Sequence, residues 1–220
     1  MLAFLWLRCT ATYFTFYLVE LLIEKQENNV NSIVGVDLGV KNLATLSTGE
    51  IIEGAKSYKK YGSKLSRLQW LNRNKIINSN NWIKAQLKIA KLHLKIANIR
   101  KDTLHKLTTL LAKNHSKVVI EDLNVSGMLA NRKLAQAISD MGFYEFRRQL
   151  TYKCELYSSE LVVVDRWYPS SKTCSNCGTK KEHLTLSDRV FKCEKCGFEC
   201  DRDLNAAINL STIDLSKVAH

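Results

Sequence analysis

Two Cys-x-x-Cys pairs, Cys174/Cys177 and Cys193/Cys196, stand fifteen residues apart in this 220-residue chain and constrain its folding more than any other feature. Each pair bends one short loop so that two thiolates converge, and two such knuckles close a tetrahedral shell around Zn²⁺. Gly178 and Gly197 directly follow the second cysteine of each pair, where a knuckle turns sharply and often needs a positive φ. Four thiolates leave no open position, so the expected ion is structural. The remaining cysteines, Cys9, Cys154 and Cys200, are scattered. An odd total in such spacings indicates a reducing compartment and metal ligation, not a disulfide framework. Cys200 reads as a small buried apolar group.

The length and the 45% hydrophobic content allow one sizeable core, or one core plus a small metal-stapled module. With a single proline, Pro169, and nine glycines, no linker or low-complexity tail interrupts the chain. The net charge of +12 favours a polyanionic partner, because basic side chains release counterions when they meet phosphates. That charge is localised: Lys56 to Lys117 holds sixteen lysines and arginines against one acid, Asp102, a net +15, so the remainder sums to −3. The first 23 residues are apolar, but they carry Arg8 and Glu20 and lack a basic start and a small-residue cleavage site. A buried strand over Thr12–Glu20 is therefore expected in place of a membrane span, and no membrane partner.

The runs IVGVDLGV, LATL and IIEGA, with Thr48-Gly49 before the last, predict an antiparallel hairpin or meander from Ile33. From about Ser63 to Lys113 the period becomes helical. A short helix around Leu65–Leu71 and a long amphipathic one are expected, separated by Asn78-Ser79-Asn80-Asn81. Ile83, Leu87, Ala90, Leu94, Ala97, Leu104 and Leu111 define the apolar face, and Lys84, Lys88, Lys91, Lys95 and Lys101 the basic one. An acid-poor helix forgoes the i,i+4 ion pairs of a merely solvated face, which marks these lysines as candidate nucleic-acid contacts. VVIEDL and LVVVD read as further strands flanking a helical stretch over Leu134–Tyr157, and DRDLNAAINL as a final helix with an acidic first turn.

Three acids lie where such elements begin or end: Asp37 in VGVDLG, Glu121 in VIEDL, and Asp203, with Asp201 as neighbour, in DRDLNAA. Hard divalent cations need oxygen ligands gathered from several elements, and two ions so held can hydrolyse a phosphodiester in line. Taken singly, each acid also reads as a turn, capping or helix-dipole residue.

The ordered set GVDLGVKNLAT, the basic helical segment, VVIEDLNVSGML, FRRQLTYKCE, SSKTCSNCG and RVFKCEKCGFECDRDLNAAINL resembles the TnpB (OrfB) proteins of bacterial and archaeal insertion sequences. Those proteins are RNA-guided DNA endonucleases related to miniature type V CRISPR effectors. The resemblance runs from about Tyr13 to Leu210. It implies an α/β fold: an RNase H-like (RuvC) mixed sheet with a helical insertion, plus a small four-cysteine zinc ribbon. It also implies catalytic acids at Asp37, Glu121 and Asp203 that hold Mg²⁺ or Mn²⁺, with Asp203 preferred over Asp201 by the family pattern. The structural Zn²⁺ falls to Cys174, Cys177, Cys193 and Cys196. Arg189 and Arg202 become candidate phosphate contacts, with surface or carboxylate-pairing roles as the alternative.

The implied organisation is a remnant of a wedge-like β domain over 1–30, a nuclease core over 31–170 with its basic insertion at about 56–117, a zinc ribbon over 171–199, and a last core segment over 200–220. Family members carry a wedge and a recognition domain for guide RNA before the first catalytic aspartate, where this chain has 36 residues. The expectation is therefore an amino-terminally shortened copy whose partner is DNA, with guide RNA as the family's second partner. Two other functions remain open: a zinc-containing nucleic-acid-binding regulator of transposition without catalysis, and a stand-alone junction resolvase or RNase H-type enzyme.

Overall fold

The computed structural model describes residues 2–6, 16–20, 32–185 and 188–213. Strands β1 (Leu2–Trp6) and β2 (Phe16–Glu20) pair antiparallel, β2 falling inside the strand expected over Thr12–Glu20. The side chains of those strands and Cys9 lie outside the described residues, as does the burial expected there.

The centre of the protein is a five-stranded mixed sheet in the order β5-β4-β3-β6-β7, formed by β3 (Ile33–Leu38), β4 (Ala44–Leu46), β5 (Ile51–Ile52), β6 (Lys117–Glu121) and β7 (Glu160–Val164). β3, β4 and β5 make the expected antiparallel meander, whereas β6 and β7 join parallel to β3 and to each other. Parallel neighbours need crossovers, and helices supply them. The first crossover runs through α1 (Ser57–Asn72) and α2 (Asn80–Asn114); the second through α3 (Val125–Ala130), α4 (Ala135–Met141) and α5 (Phe143–Leu156). The helical stretch expected over Leu134–Tyr157 is thus two helices, because Gly142 adopts a left-handed φ of 72° between them.

Strand alternation sorts the two faces. Val34, Val36, Val118 and Ile120 point to one side, where they pack with Leu104, Leu107 and Leu111 of α2 and Phe146 and Leu150 of α5. Val119 points to the other side and packs with Leu210 of α6 (Arg202–Ser211), the final helix. The result is a three-layer α/β arrangement with the main core on the α2/α5 side.

The 35-residue helix α2 spans about 50 Å at 1.5 Å per residue and serves two cores. Its last turns belong to the main core, while Ile89, Leu92 and Ile96 meet Leu65, Tyr58, Tyr61 and Leu68 of α1. The apolar face read from sequence is corrected in the first half of α2: Ile83, Leu87 and Leu94 are exposed. Two apolar rows recur at helical spacing there, and α1 packs on the other one. α1 itself begins earlier than expected, at Ser57, because its first amides are capped from a distant element. The Asp140 carboxylate on α4 accepts from Tyr58 N (2.9 and 3.0 Å), Lys59 N and Ser57 Oγ. Among the described residues no helix is long and apolar enough to cross a membrane.

Candidate functional site: a carboxylate cluster wired to a cysteine module

β3 and β6 run parallel with Val36 opposite Ile120, so the next step of the register sets Asp37 beside Glu121 at the carboxyl ends of both strands. Asp37 shares its parity with Gly35, and Glu121 with Val119, so both acids project toward α6. α6 lies directly on β3: a Cβ built on Gly35 would meet Ala207 O at 2.0 Å and Ser211 N at 2.6 Å. That close approach brings the first turn of α6, and with it Asp203, to the two strand ends. Asp201 has a different task. It is the N-cap of α6, its Oδ1 accepting from Asp203 N (2.9 Å) and Leu204 N (3.2 Å).

Asp37 senses the other two acids. Burial pushes the Asp37 carboxyl up to about 8, and the negative charges of Asp203 and Glu121 add to the rise. Glu121 is also raised by burial, against a hydrogen bond donated by the buried Ser170 Oγ (3.4 Å). Arg202 donates to Asp203 Oδ1 at 3.2 and 3.3 Å, a carboxylate-pairing arrangement. Among the described residues, the four module cysteines form the group whose donor atoms all lie within 4.8 Å of one another; the three carboxylates are spread more widely. Oxygen donors near enough to raise the proton affinity of the buried Asp37, yet not closed on a single point, are the kind that a hard divalent cation or a pair of them takes.

The cysteine module folds as two knuckles. Gly178 N donates to Cys174 O and Gly197 N to Cys193 O, both glycines at φ 72°, where a side chain would be strained. The Cys174–Cys196 and Cys177–Cys193 sulfur separations are 3.7 and 3.6 Å. A tetrahedron with Zn–S bonds of about 2.3 Å has edges of about 3.8 Å, which these two separations match, and all four sulfurs lie within 4.8 Å of one another. The Cys177 thiol is lowered to about 6 by its hydrogen bond with Thr179, whereas burial pushes the Cys174 thiol up to about 11. Phe191 of β8 (Val190–Lys192) is fully buried beneath the knuckles, and its partner across the ladder on β9 (Glu199–Asp201), half-buried Cys200, packs there as a small apolar group.

Residues that sequence reasoning missed join the two sites. Asn205 and Asn209, both buried on α6, bind the backbone of the first knuckle: Asn205 Nδ2 donates to Thr173 O (2.7 Å), Asn205 Oδ1 accepts from Ser175 N (3.0 Å), and Asn209 Nδ2 donates to Thr173 O (2.6 Å) and Ser170 O (2.7 Å). The helix that presents Asp203 and the loop that presents Cys174 are therefore one hydrogen-bonded body, and Ser170 extends it to Glu121. The available signal is two asparagines one turn apart among apolar residues in NAAINL.

Of the basic candidates, Lys84, Lys88, Lys91, Lys95 and Lys101 are all exposed on α2. Lys88, Lys91 and Lys95 line a shallow groove of about 320 Å³ with Lys64 of α1, and Lys95 Nζ lies 4.9 Å from the Tyr61 ring centre. Arg189 is exposed in the module, where its carbonyl accepts from Arg202 N.

Residues 16–132 match a family model, OrfB of the IS605 type, described as "Probable transposase", and residues 143–210 match the Cas12f1-like TNB domain. The chain is 46% identical over 186 residues to a "Putative RNA-guided DNA endonuclease" of Streptomyces pristinaespiralis, covering 84% of this chain and 46% of that protein. It is 42% identical over 194 residues to InsQ of Escherichia coli, of the same designation, covering 81% of this chain and 48% of that one. The chain thus spans about half the length of the curated relatives it matches. A solved Cas12f1–sgRNA–target DNA complex superimposes with a TM-score of 0.58 at 22% identity, covering 82% of this chain and 49% of the Cas12f1 chain. A CRISPR-Cas12f ternary complex gives 0.60 at 24%, over 90% and 42%. At these identities the likeness is one of fold.

Proposed function

The chain belongs to the OrfB (TnpB) family of probable transposases, and from that premise we propose that it is a metal-dependent DNA endonuclease with an RNase H-like (RuvC) core and a zinc ribbon. In this reading residues 31–170 form the core, with the basic insertion at about 56–117, residues 171–199 the ribbon, and residues 200–220 the last core segment; residues 1–30 belong to a preceding β domain. The observation that supports the proposal is the position of Asp37 and Glu121 at neighbouring strand ends, with Asp37 raised to about 8 by burial and by the charges of Asp203 and Glu121. Like charges crowded in this way are stabilised by a divalent cation.

Asp37, Glu121 and Asp203 would hold Mg²⁺ or Mn²⁺. When bound, such ions neutralise the phosphodiester and acidify an attacking water. The chain's own residues do the positioning. Ser170 orients Glu121, the Asp201 cap and the asparagine pair fix α6 and so Asp203, and Arg202 neutralises Asp203 until a cation or a phosphate competes for it. Cys174, Cys177, Cys193 and Cys196 would hold a structural Zn²⁺, which would keep the first knuckle, and through it α6, in place. Lys84, Lys88, Lys91, Lys95 and Lys101 supply contacts to nucleic-acid phosphates, with Arg189 and Arg202 nearer the acids. DNA is the proposed substrate, and guide RNA is the second partner that the relatives' designations imply.

The test is cleavage of single- and double-stranded DNA with Mg²⁺ or Mn²⁺, with and without guide RNA, by the native chain and by Asp37→Ala. Metal-dependent cleavage lost in the variant is the expected result; cleavage that ignores the substitution would remove the assigned site.

A further inference from the structure

A cavity of about 480 Å³ opens at the carboxyl edge of the sheet beside Glu121, on the α5 side, and the hydrolytic reading above makes no use of it. Its volume lies within the range of small-ligand pockets, about 300–1,000 Å³. The floor is apolar, formed by Leu38, one residue past Asp37, and by Ile120 and Phe143, both buried in the main core. Tyr144, in the first turn of α5, also lines the cavity yet is 74% exposed. The polar wall comes from Asn124, Ser126, Arg147 and Arg166, and the guanidinium groups of the two arginines both donate to Asp122. Asp122 and Glu121 balance the two arginines in charge, but each guanidinium carries five N–H donors, more than Asp122 consumes.

These features select a ligand by chemistry. A bare phosphate gains nothing from the apolar floor, and a purely apolar ligand gains nothing from the arginine pair. A nucleotide satisfies both, with its base on the floor against Tyr144 and its phosphate at the rim. Glu121 lines the cavity and also belongs to the carboxylate cluster, so the two lie at the same carboxyl edge of the sheet, on its two faces. The geometry points to a subsite for one unstacked nucleotide of a single DNA strand, at the sheet edge that carries the acids. Its grip is on a π-face and a phosphate, so it fixes the register of the strand without reading its sequence. The inference rests on the endonuclease reading and specifies how that site seats its substrate.

The experiment uses the full chain and single-stranded oligonucleotides in which one abasic residue is stepped along the strand. KM and kcat are measured at each position. At one fixed offset from the cut, loss of the base should raise KM about tenfold, with little effect elsewhere. Tyr144→Ala should raise KM for the intact strand by a similar factor and cancel the extra penalty at that offset, while Tyr144→Phe restores native behaviour. An arm independent of cleavage follows 2-aminopurine at the same offset in calcium buffer, where its quenching by the native chain should vanish in Tyr144→Ala. An equal penalty at every offset, or a Tyr144→Ala chain that behaves as native, overturns the subsite while leaving Asp37-dependent cleavage standing. A free deoxynucleoside monophosphate that binds as tightly as the strand would make this a small-nucleotide site and overturn the assignment to a strand. If no strand is cut in an Asp37-dependent manner, the endonuclease reading fails, and the fluorescence arm alone decides the subsite.

Discussion

Replacing Gly35 with alanine tests how closely helix α6 must sit on strand β3. The added Cβ would lie 2.0 Å from Ala207 O and 2.6 Å from Ser211 N, both backbone atoms that no rotamer change can move. Ordinary contact begins near 3.4 Å, so α6 must retreat by about 1.4 Å along that line. Overpacking of this kind costs about 1–3 kcal/mol, and at about 2–4 °C per kcal/mol for a chain of this size the Tm should fall by roughly 3–10 °C. Asp203 lies one turn before Ala207 on the same helix, so the retreat also moves a carboxylate away from Asp37. A displacement of about 1 Å at a reacting centre lowers turnover by about 10²-fold. Thermal unfolding and Mg²⁺-dependent cleavage read the two effects. Gly62→Ala is the control of opposite sign: it sits in α1 with Tyr58 at a comfortable 3.7 Å, and helix propensity alone should stabilise it by about 0.5–1 kcal/mol. A Gly35→Ala chain that melts within about 1 °C of native and cleaves at the native rate would refute the argument that this contact sets the site.

Three further outcomes follow from the same geometry. The Asp37 carboxyl is raised above its unfolded value of 3.8 to about 8, so its protonated form contributes stability that is full below about pH 4 and is lost as the pH rises to 8; urea unfolding in magnesium-free buffer should show that decline, by at most about 5 kcal/mol, with Mg²⁺ or Asp37→Asn flattening it. Asn209→Ala strands the carbonyl of buried Ser170 and leaves Thr173 O to Asn205 alone, so a loss of about 1–3 kcal/mol is expected together with faster release of zinc to a colorimetric chelator; unchanged zinc release would sever the proposed link between module and helix. Neutralising Lys84, Lys88, Lys91 and Lys95 as glutamines should weaken DNA binding and reduce the slope of log affinity against log salt by about 0.7–0.9 for each phosphate that a lysine no longer neutralises, measured by fluorescence anisotropy.

Several features were legible in the residues because their causes are local. Two cysteines with two residues between them can chelate only by bending one loop, and the glycines that allow the bend follow them. The strands around Asp37 and Glu121 announce themselves by β-branched runs of strand length, and the final helix by its acidic start. The contribution of tertiary structure begins where two local readings are equally good. Ile83, Leu87 and Leu94 have the same helical spacing as Ile89, Leu92 and Ile96; only α1, arriving from another part of the chain, decides which row is buried. Asp201 and Asp203 are both acids in a first turn, and the hydrogen bonds to Asp203 N and Leu204 N settle that the former caps the helix. The parallel register of β3 with β6, the glycine that lets α6 touch the sheet, and the asparagines that tie α6 to the cysteine module all join residues distant in sequence. Spacing along a chain dictates which groups can act together within one turn or one strand. Which acids share an edge depends on how the sheet is ordered, and that order is a property of the whole packed core.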